Sequence, residues 1–309
     1  MDNLQINSLV LELEEQNRAL QALVCGSIEI RDGDGKDYIY LHSRKNGVPV
    51  TTYVGEYSDE LYNLIVSNNI KAKEIKKEIR RITKVLKSLG YRDAELDEAV
   101  ASNIDFARKR LADTIYKQAV LEGIATTYAD TKTILEGGKV NNMTADDVLK
   151  VVNLKRAWDF ILNKNVVLTP TNFAVLCEIN KLVEEGFYYS AGKLRTVPVS
   201  IGGTAWKPSL PIEADIKDAI NAILALSADD ADRAIELLLY VMKSQIFIDG
   251  NKRTAVIFAN HYLISRGEGL IVIPNDRVDE YKKLLIDYYE GNDNISIKRF
   301  LKTQCYERI

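Results

Sequence analysis

Apolar residues recur at a seven-residue spacing in two long stretches near the amino terminus. In the first stretch, residues 4–24, they are Ile6, Leu9, Leu13, Leu20 and Leu23. In the second stretch, from Ser58 to Leu89, they are Ile75, Ile79, Ile82, Leu86 and Leu89. This spacing predicts two helices that each bury one narrow seam. Ser58 is the predicted N-cap of the second helix, and Gly90 is its predicted stop.

The residues between these helices, 28–54, change to the two-residue period of β-strands. Short strands are indicated around residues 28–30, 38–41 and 48–52. The turn sequences between them are Asp-Gly-Asp-Gly at 32–35 and Lys-Asn-Gly at 45–47. We therefore predict a helical hairpin with a short antiparallel sheet at its tip. Residues 1–90 would form an interaction or dimerisation module, so a homodimer is one expected assembly.

The second helix carries eight basic residues. They are Lys71, Lys73, Lys76, Lys77, Arg80, Arg81, Lys84 and Lys87. One interpretation of this basic helix is a face that binds nucleic acid. The other is a solvated helix whose charges pair with Glu74 and Glu78 and with the first helix, which contains Glu12, Glu14 and Glu15. The sequence leaves both interpretations open.

From about residue 92 the pattern is mostly helical. Candidate helices span residues 94–124, 144–163, 171–185, 212–226, 230–245, 251–266, 276–289 and 295–305. The interval between Gly192 and Pro211 breaks this pattern. Residues 194–201 alternate like a strand, Gly202-Gly203 provides a turn, and 204–208 would return as the second strand of a hairpin. This hairpin is either a plain surface feature or a flap beside residues 245–254.

Composition places the chain among globular proteins. Its 309 residues carry a net charge of −3, which implies no general attraction to nucleic acid. The cysteines Cys25, Cys177 and Cys305 form no metal-binding or disulfide pattern. No apolar run approaches the ~20 residues that span a bilayer, and the amino terminus lacks the features of a signal peptide. We expect a cytoplasmic protein that does not engage a membrane.

Residues 245–254, Gln-Ile-Phe-Ile-Asp-Gly-Asn-Lys-Arg-Thr, have the composition of an anion site. An apolar helix ends there, and a second helix begins after an Asp-Gly turn. Gly250 would let the backbone approach a ligand, and the free N–H groups of the helix start would attract phosphate. Asp249 could hold a magnesium ion, while Lys252 and Arg253 could neutralise phosphate.

The same stretch resembles the signature of the Fic/Doc fold, His-x-Phe-x-Asp/Glu-Gly/Ala-Asn-Gly/Lys-Arg. Phe247 and residues 249–253 match it. Upstream, residues 192–203 resemble the family's G-x-x-R-x-x-x-V-x-I-G-G flap. Residues 134–137 lie where autoinhibited members carry a Ser/Thr-x-x-x-Glu-Gly helix, so Glu136 is a regulatory candidate. The resemblance covers residues 91–309 and implies a mainly α-helical Fic-like domain with a small β-hairpin flap.

By this resemblance, such domains transfer AMP, or in Doc-like members phosphate, from ATP to a hydroxyl of a target protein. Asp249 would bind Mg²⁺, and Gly250, Asn251, Lys252 and Arg253 would hold the nucleotide phosphates. The flap would align an unidentified target protein by strand addition. The flap residues implied in that contact are Val199, Ser200, Ile201, Gly202, Gly203 and Trp206. Phe247 would anchor the loop in the core.

Three departures from the family pattern bear on activity. Gln245 replaces the catalytic histidine, and an amide cannot accept a proton at neutral pH. Val256 stands where AMP-transferring members carry a second arginine for the γ-phosphate, a feature that Doc-like members also lack. Lys132 stands where the inhibitory helix would carry Ser or Thr. The chain has two histidines, His42 and His261, and neither is predicted to lie near the loop.

Three classes of function follow from these observations. The first is an active transferase or Doc-like kinase that uses another base. The second is a catalytically impaired Fic-like domain that binds nucleotide and acts as a scaffold or regulator. The third is a nucleic-acid-binding regulator that acts through the basic helix, residues 71–87. Gln245 favours the second class over the first.

Overall fold

The computed structural model of the protein describes residues 2–45, 48–88 and 96–309. Contacts divide the chain into two compact units, Met1–Asp93 and Ala94–Ile309. The first unit has two helices and a three-stranded antiparallel sheet. Its elements are α1 (Asp2–Ala22), β1 (Ser27–Gly33), β2 (Lys36–Lys45), β3 (Val48–Glu56) and α2 (Asp59–Ser88). The two predicted helices are confirmed to within about two residues, a normal uncertainty for element ends. The three predicted strands are also confirmed, but they extend up to about four residues further than predicted.

The long helix α2 serves two separate clusters. Ile65 near its start packs against Ile39 and Leu41 on the inner face of β2. Ile82 and Leu86 near its end pack against Val10 of α1. The sheet therefore covers the first half of α2, and α1 covers the second half.

The predicted seams are confirmed only in part. Ile82 and Leu86 are buried as expected, whereas Ile75 and Ile79 are only partly buried. Among the α1 side chains that the structure describes, which begin at Ser8, Val10 is buried, whereas its predicted neighbour Leu9 is only partly buried. Ser58 caps α2, because its hydroxyl accepts a hydrogen bond from the Leu61 N–H at 3.1 Å. The predicted stop at Gly90 lies outside the described residues.

The second unit is mainly helical. Its helices are α3 (Glu98–Leu121), α4 (Tyr128–Leu135), α5 (Ala145–Ile161), α6 (Lys164–Val167), α7 (Phe173–Val183), α8 (Glu213–Leu224), α9 (Asp230–Ser244), α10 (Asn251–Arg266), α11 (Val278–Glu290) and α12 (Ile295–Phe300). The eight predicted helices are confirmed in position. A short 3-10 turn precedes α11, and a π-helical turn follows α12.

Helix α10 forms the centre of the second unit. It is buried continuously from Arg253 to Ile264 and contacts α3, α5, α7 and α9. A helix enclosed on all sides must satisfy its polar side chains internally. Asn260 does so by exchanging two hydrogen bonds of 2.9 Å with the backbone of Ile271. The fold therefore holds the start of α10, where the candidate site lies, in a fixed position.

The β-structure of this unit differs from the prediction. The described segment 194–208 forms no strand, so the predicted hairpin strands are wrong, although the turn at Gly202-Gly203 is present. A two-stranded antiparallel pair is instead formed by β4 (Leu270–Ile271) and β5 (Tyr306–Glu307). Among the described residues, no helix is long and apolar enough to cross a membrane.

Candidate functional site

The candidate site is built on the loop that joins α9 to α10. Helix α9 ends at Gln245, whose backbone is left-handed with φ of 45°. Gly250, at the start of α10, is also left-handed with φ of 71°. A Cβ at Gly250 would overlap the carboxylate of Glu184, so both the backbone angle and the space require glycine. The predicted approach of a ligand to the backbone at Gly250 stays a prediction, and the group that lies against Gly250 in the structure is the Glu184 carboxylate.

Asn251 and Phe247 determine the shape of the loop. The Phe247 N–H donates to Asn251 Oδ1 at 2.9 Å, and Asn251 Nδ2 donates to the Phe247 carbonyl at 2.8 Å. The Phe247 side chain is fully buried. This reciprocal pair commits the Asn251 amide to the loop itself, so Asn251 contributes to the site by positioning its backbone.

The side chain of Gln245 is also held within the loop. Its Nε2 donates to the Met242 carbonyl at 2.6 Å, and its Oε1 accepts from Asn251 Nδ2 at 3.2 Å. The position that the family motif gives to a base therefore carries a neutral, hydrogen-bonded amide. Its geometry is ordered, but it has no site for a proton.

Arg253 is a buried cation between two acidic residues. Its side chain is 6% exposed, and its Nη2 lies 2.9 Å from Glu184 Oε1. Its Nε lies 3.7 Å from Glu122 Oε2, and Lys252 Nζ lies 3.9 Å from Glu122 Oε1. Among the described side chains, Arg253 Nε and Nη1 are buried and have no hydrogen-bond partner. Buried polar atoms without hydrogen-bond partners are costly, and Glu122 Oε1 and Glu184 Oε1 are buried in the same way, so the cluster contains unsatisfied acceptors as well as donors.

Glu184 is the carboxylate most affected by this environment. Burial raises its pKa to about 7, opposed by the positive charge of Arg253 and reinforced by the negative charges of Asp249 and Glu122. The residue is 1% exposed. A carboxylate that titrates near neutral pH thus adjoins the arginine that would hold phosphate.

Arg195 fastens the flap segment to the motif loop. Its backbone N–H donates to the Ile246 carbonyl at 3.1 Å, and its buried Nε donates to the Gln245 carbonyl at 2.5 Å. The rest of its guanidinium donates to the carbonyls of Val197, Pro208 and Ser209. These bonds replace strand pairing, which explains why residues 194–208 cross the surface without forming a hairpin.

The far end of the flap is anchored to helices α9 and α11. Thr204 Oγ1 donates to Glu290 at 2.9 Å, and Trp206 Nε1 donates to the Lys243 carbonyl at 3.3 Å. Lys243 Nζ lies 4.8 Å from the centre of the Trp206 ring. Ser200, Gly202, Gly203 and Trp206 are exposed, whereas Val199 and Ile201 are partly buried. The predicted target-binding residues therefore lie on a fixed surface segment.

Glu122, rather than Glu136, is the acidic residue beside the motif. The Glu136 side chain is 68% exposed and pairs with Lys132 at 3.9 Å. Glu122 follows α3, and Gln118 of that helix donates to the Arg253 carbonyl at 2.9 Å. The sequence contained this signal, because Glu122-Gly123 is a second Glu-Gly pair upstream of Glu136-Gly137.

The two histidines lie in unrelated settings. His261 is fully buried, with its ring nitrogens bonded to Thr171 Oγ1 and the Val166 carbonyl, and burial lowers its pKa to about 4. His42 belongs to the sheet of the first unit and contacts Glu29 and Thr51. His261 therefore cannot supply the base that Gln245 lacks.

Comparisons with known families and structures identify proteins that are similar to this chain. The Fic/DOC family model matches residues 170–263, and the model of a domain of unknown function, DUF6788, matches residues 4–63. The chain is 24% identical to Protein adenylyltransferase fic-1 of Caenorhabditis briggsae over 245 residues. That match includes 72% of this chain and 47% of the relative, so the chain spans about half the length of the curated relative.

Solved structures share the fold. Fic-1 (residues 134–508) from C. elegans has a TM-score of 0.53 at 20% identity, over 79% of this chain and 77% of that one. A Fic domain containing signaling protein from Bacteroides thetaiotaomicron has a TM-score of 0.52 at 20% identity, over 65% of this chain and 79% of that one. These structures show the fold, and the family match over residues 170–263, which include the flap and the motif loop, shows that the chain contains a Fic/DOC family domain.

Proposed function

We propose that the second unit binds ATP at the loop 245–253 and that its group-transfer activity is severely impaired. The observation that carries the proposal is the pairing of a buried phosphate-type donor with a missing base. Arg253 has buried Nε and Nη1 donors that make no hydrogen bond beside the start of α10, although Nε also lies 3.7 Å from Glu122 Oε2, whereas Gln245 presents an amide. The related fic-1 protein is named an adenylyltransferase, which supports ATP as the ligand class.

The donor set fits a nucleotide phosphate. Arg253 and the partly exposed Lys252 supply positive charge, and the N–H groups of the first turn of α10 supply a helix start. Glu122 and Glu184 occupy the same surroundings, so phosphate must compete with two carboxylates for Arg253.

Asp249 fits a magnesium ligand that is completed by the nucleotide. Its side chain is 53% exposed, and its Oδ1 accepts the Gly250 N–H at 2.6 Å. Among the described residues, no group of three metal-binding side chains converges. Magnesium is commonly held by one or two carboxylates together with phosphate oxygens and water. Asp249 would hold the ion in that manner, and the ion would neutralise charge on the phosphates.

The impairment follows from the proton that transfer must remove from the target hydroxyl. General-base assistance contributes roughly a hundred- to ten-thousand-fold. Glu184 titrates in a suitable range, but it is buried behind Gly250 and Arg253, where a target hydroxyl cannot reach it. His261 is enclosed in the core. Positioning and phosphate electrostatics are then the sources of catalysis that remain.

Val256 favours a Doc-like arrangement of phosphates. Its side chain is buried and lines a small cavity with Leu121, Ile271 and Ile273. The same cavity is also lined by Thr114, Lys117 and Gln118. The site therefore offers the γ-phosphate no cation from position 256, and a transfer reaction restored at residue 245 should favour phosphate over AMP.

The flap is the proposed docking segment for a target protein. Residues 196–201 are not paired with a strand, which leaves an extended segment at the surface beside the loop. Main-chain hydrogen bonds to such a segment would align a target, and the exposed Trp206 would contact its side chains. Without catalysis, the same docking would make the domain a nucleotide-dependent scaffold.

Calorimetry and label transfer test this proposal. ATP with Mg²⁺ should bind the parent chain, and Asp249→Ala and Arg253→Ala should each weaken binding. Parent and Gln245→His proteins are then compared with α-labelled and γ-labelled ATP in a cell lysate. Weak labelling by the parent and stronger labelling from γ-labelled ATP by Gln245→His are expected. Strong labelling by the parent would contradict the impairment, and unchanged ATP binding in both alanine variants would contradict the binding site.

A further inference from the structure

A large groove in the first unit lies outside the proposed nucleotide site. It has a volume of about 1670 Å³ and lies where the end of α1, the strands β1 and β2 and the middle of α2 meet. At its base, two hydrogen bonds connect the segment before β1 to α2. The Gly26 N–H donates to Asn69 Oδ1 at 2.9 Å, and Asn69 Nδ2 donates back to the Gly26 carbonyl at 3.0 Å. The groove is therefore formed by fixed elements within one compact unit.

One wall of the groove is strongly basic. Lys73, Lys76, Lys77 and Arg80 line it and are exposed, and Glu74 is the acidic residue that lines it with them. Their spacing of three and four residues places the four cations along one face of α2, over roughly 11 Å. Within the described ranges, none of the four forms an ion pair with a carboxylate.

The basic residues of α2 differ in how they are paired. Arg81, which does not line the groove, pairs with Glu78 at 2.6 Å and with Glu12 of α1 at 3.4 Å. Acidic residues therefore neutralise the positive charge on the side of α2 that carries Arg81. The groove side keeps its positive charge, even though the net charge of the chain is −3.

An aromatic surface continues from the groove across the sheet. His42 lines the groove, and the alternation of β2 places Tyr40 and Tyr38 on the same outer face. The Tyr53 ring of β3 lies 5.5 Å from Tyr40 and is 55% exposed. Arg31 of β1 stacks over Tyr40 at 4.5 Å. Tyr38 and Tyr40 are partly buried, and Arg31 also pairs with Glu29 at 2.8 Å, so the exposed Tyr53 ring offers the more accessible surface on which a base can stack.

We propose that the first unit binds single-stranded nucleic acid, with phosphates along the basic wall of α2 and bases against the tyrosines of the sheet. A concave basic groove fits a flexible polyanionic strand, whereas a flat bilayer surface cannot enter it. Uncharged groups from Ser27, Ser43 and Gln21 line the groove as additional hydrogen-bonding partners. This activity is separate from ATP binding and does not depend on it.

The test measures fluorescence anisotropy of labelled single strands, DNA and RNA, with the full chain over about 50–300 mM salt. Binding should weaken with salt, and Lys73→Gln combined with Lys77→Gln should lower the log–log salt slope by about 1.4, which corresponds to two lost phosphate contacts on a single strand. The matched control, Lys84→Gln combined with Lys87→Gln, removes equal charge from the same helix outside the groove and should change the slope less. Equal effects of the two pairs would overturn the proposed groove.

Tyr53→Ala tests the aromatic surface. The ring is exposed, so its loss should leave the thermal transition in place while weakening single-strand binding by roughly five- to a hundredfold. A duplex of the same sequence should bind more weakly and should be insensitive to Tyr53→Ala. The proposal is overturned by no binding at the lowest salt, or by duplex binding as tight as single-strand binding together with no effect of Tyr53→Ala.

Discussion

The substitution Glu184→Gln separates the charge of this buried carboxylate from its shape. Glu184 lies against Gly250 and 2.9 Å from Arg253, and its side chain is almost completely enclosed. The groups that determine its titration are Arg253 on α10, Asp249 in the loop, Glu122 after α3 and Lys150 on α5. Glutamine keeps the size of the side chain and removes its ionisation.

The expected effect on stability follows from the raised pKa. In the folded protein Glu184 keeps its proton up to about pH 7, whereas the ordinary value is 4.5. The folded state therefore binds more protons than the unfolded state between these pH values. Across that window the free energy of unfolding should fall by about 1.4 kcal/mol per pH unit as pH rises, about 3 kcal/mol in total, and should level off above pH 7.

Urea denaturation of the parent and Glu184→Gln proteins measures this difference. The free energy of unfolding of the variant minus that of the parent should increase with pH from 4.5 to 7 and then remain constant. Glu136→Gln, the same change at an exposed glutamate, controls for the loss of one negative charge. A difference that is independent of pH, or one that decreases as pH rises, would refute the reasoning, because the Arg253 ion pair would then outweigh burial.

The same group should couple nucleotide binding to pH. Phosphate beside Arg253 adds negative charge near Glu184 and raises its pKa further, so binding takes up a proton. The affinity for ATP should therefore fall as pH rises above 7, by at most about tenfold per pH unit for one proton. Calorimetry in buffers of different ionisation enthalpy detects the proton uptake. Glu184→Gln should abolish the part of the proton uptake that is due to Glu184. Unchanged proton uptake in the variant would exclude Glu184 as its source.

Three further substitutions test how the site is held. Arg195→Ala removes charged donors from several backbone carbonyls and should lower the free energy of unfolding by at least about 3 kcal/mol in urea denaturation. Arg195→Lys should recover part of this stability. Equal stability of the two variants would contradict a role for the planar guanidinium. Phe247→Ala should cost about 3–5 kcal/mol, seen as a lower Tm, whereas Phe247→Leu should cost less. Gly250→Ala should weaken ATP binding in calorimetry, because the φ of residue 250 is 71° and the new Cβ would meet Glu184. Adding Glu184→Ala should recover part of the lost affinity. If affinity does not recover, the backbone angle is the main cause of the loss.

The parts of the fold that the sequence predicted are those determined by local pattern. Seven-residue spacing is sufficient to identify α1 and α2, and the Asp-Gly turn is sufficient to locate the loop before α10. Period does not specify which neighbour covers a helix. Ile75 and Ile79 follow the seam but are only partly buried, because α1 packs against the end of α2 and the sheet against its beginning.

The flap shows how a local pattern can be overridden. Residues 194–201 alternate as a strand would, yet no strand forms there. The backbone acceptors in this segment are instead satisfied by the buried guanidinium of Arg195, and strand assignment needs a partner that sequence alternation alone cannot provide. The pair β4–β5 was missed for the opposite reason, since two-residue strands are too short for a detectable period.

The acidic residues around Arg253 depend entirely on tertiary structure. The chain contains three Glu-Gly pairs on the amino-terminal side of the motif, at residues 122–123, 136–137 and 185–186, and sequence alone does not show which of them lies beside it. The docking of α3 on α10, marked by the Gln118 bond to the Arg253 carbonyl, brings Glu122 to the motif. Glu184 belongs to no motif. It is identified only when the end of α7 is seen to face Gly250.

At residue 245, the shape of the loop does not depend on a side chain that can act as a base. A left-handed residue at the end of α9 is needed for the chain to turn back into α10, and Gln245 adopts this conformation while bonding to both Met242 and Asn251. Those two bonds require one donor and one acceptor, which an amide supplies at every pH. A neutral histidine also has one donor and one acceptor, but its ring fixes their directions and protonation removes the acceptor. Glutamine therefore keeps the shape of the loop independent of pH at this position, and Glu184 becomes the nearby group whose pKa burial raises to about 7.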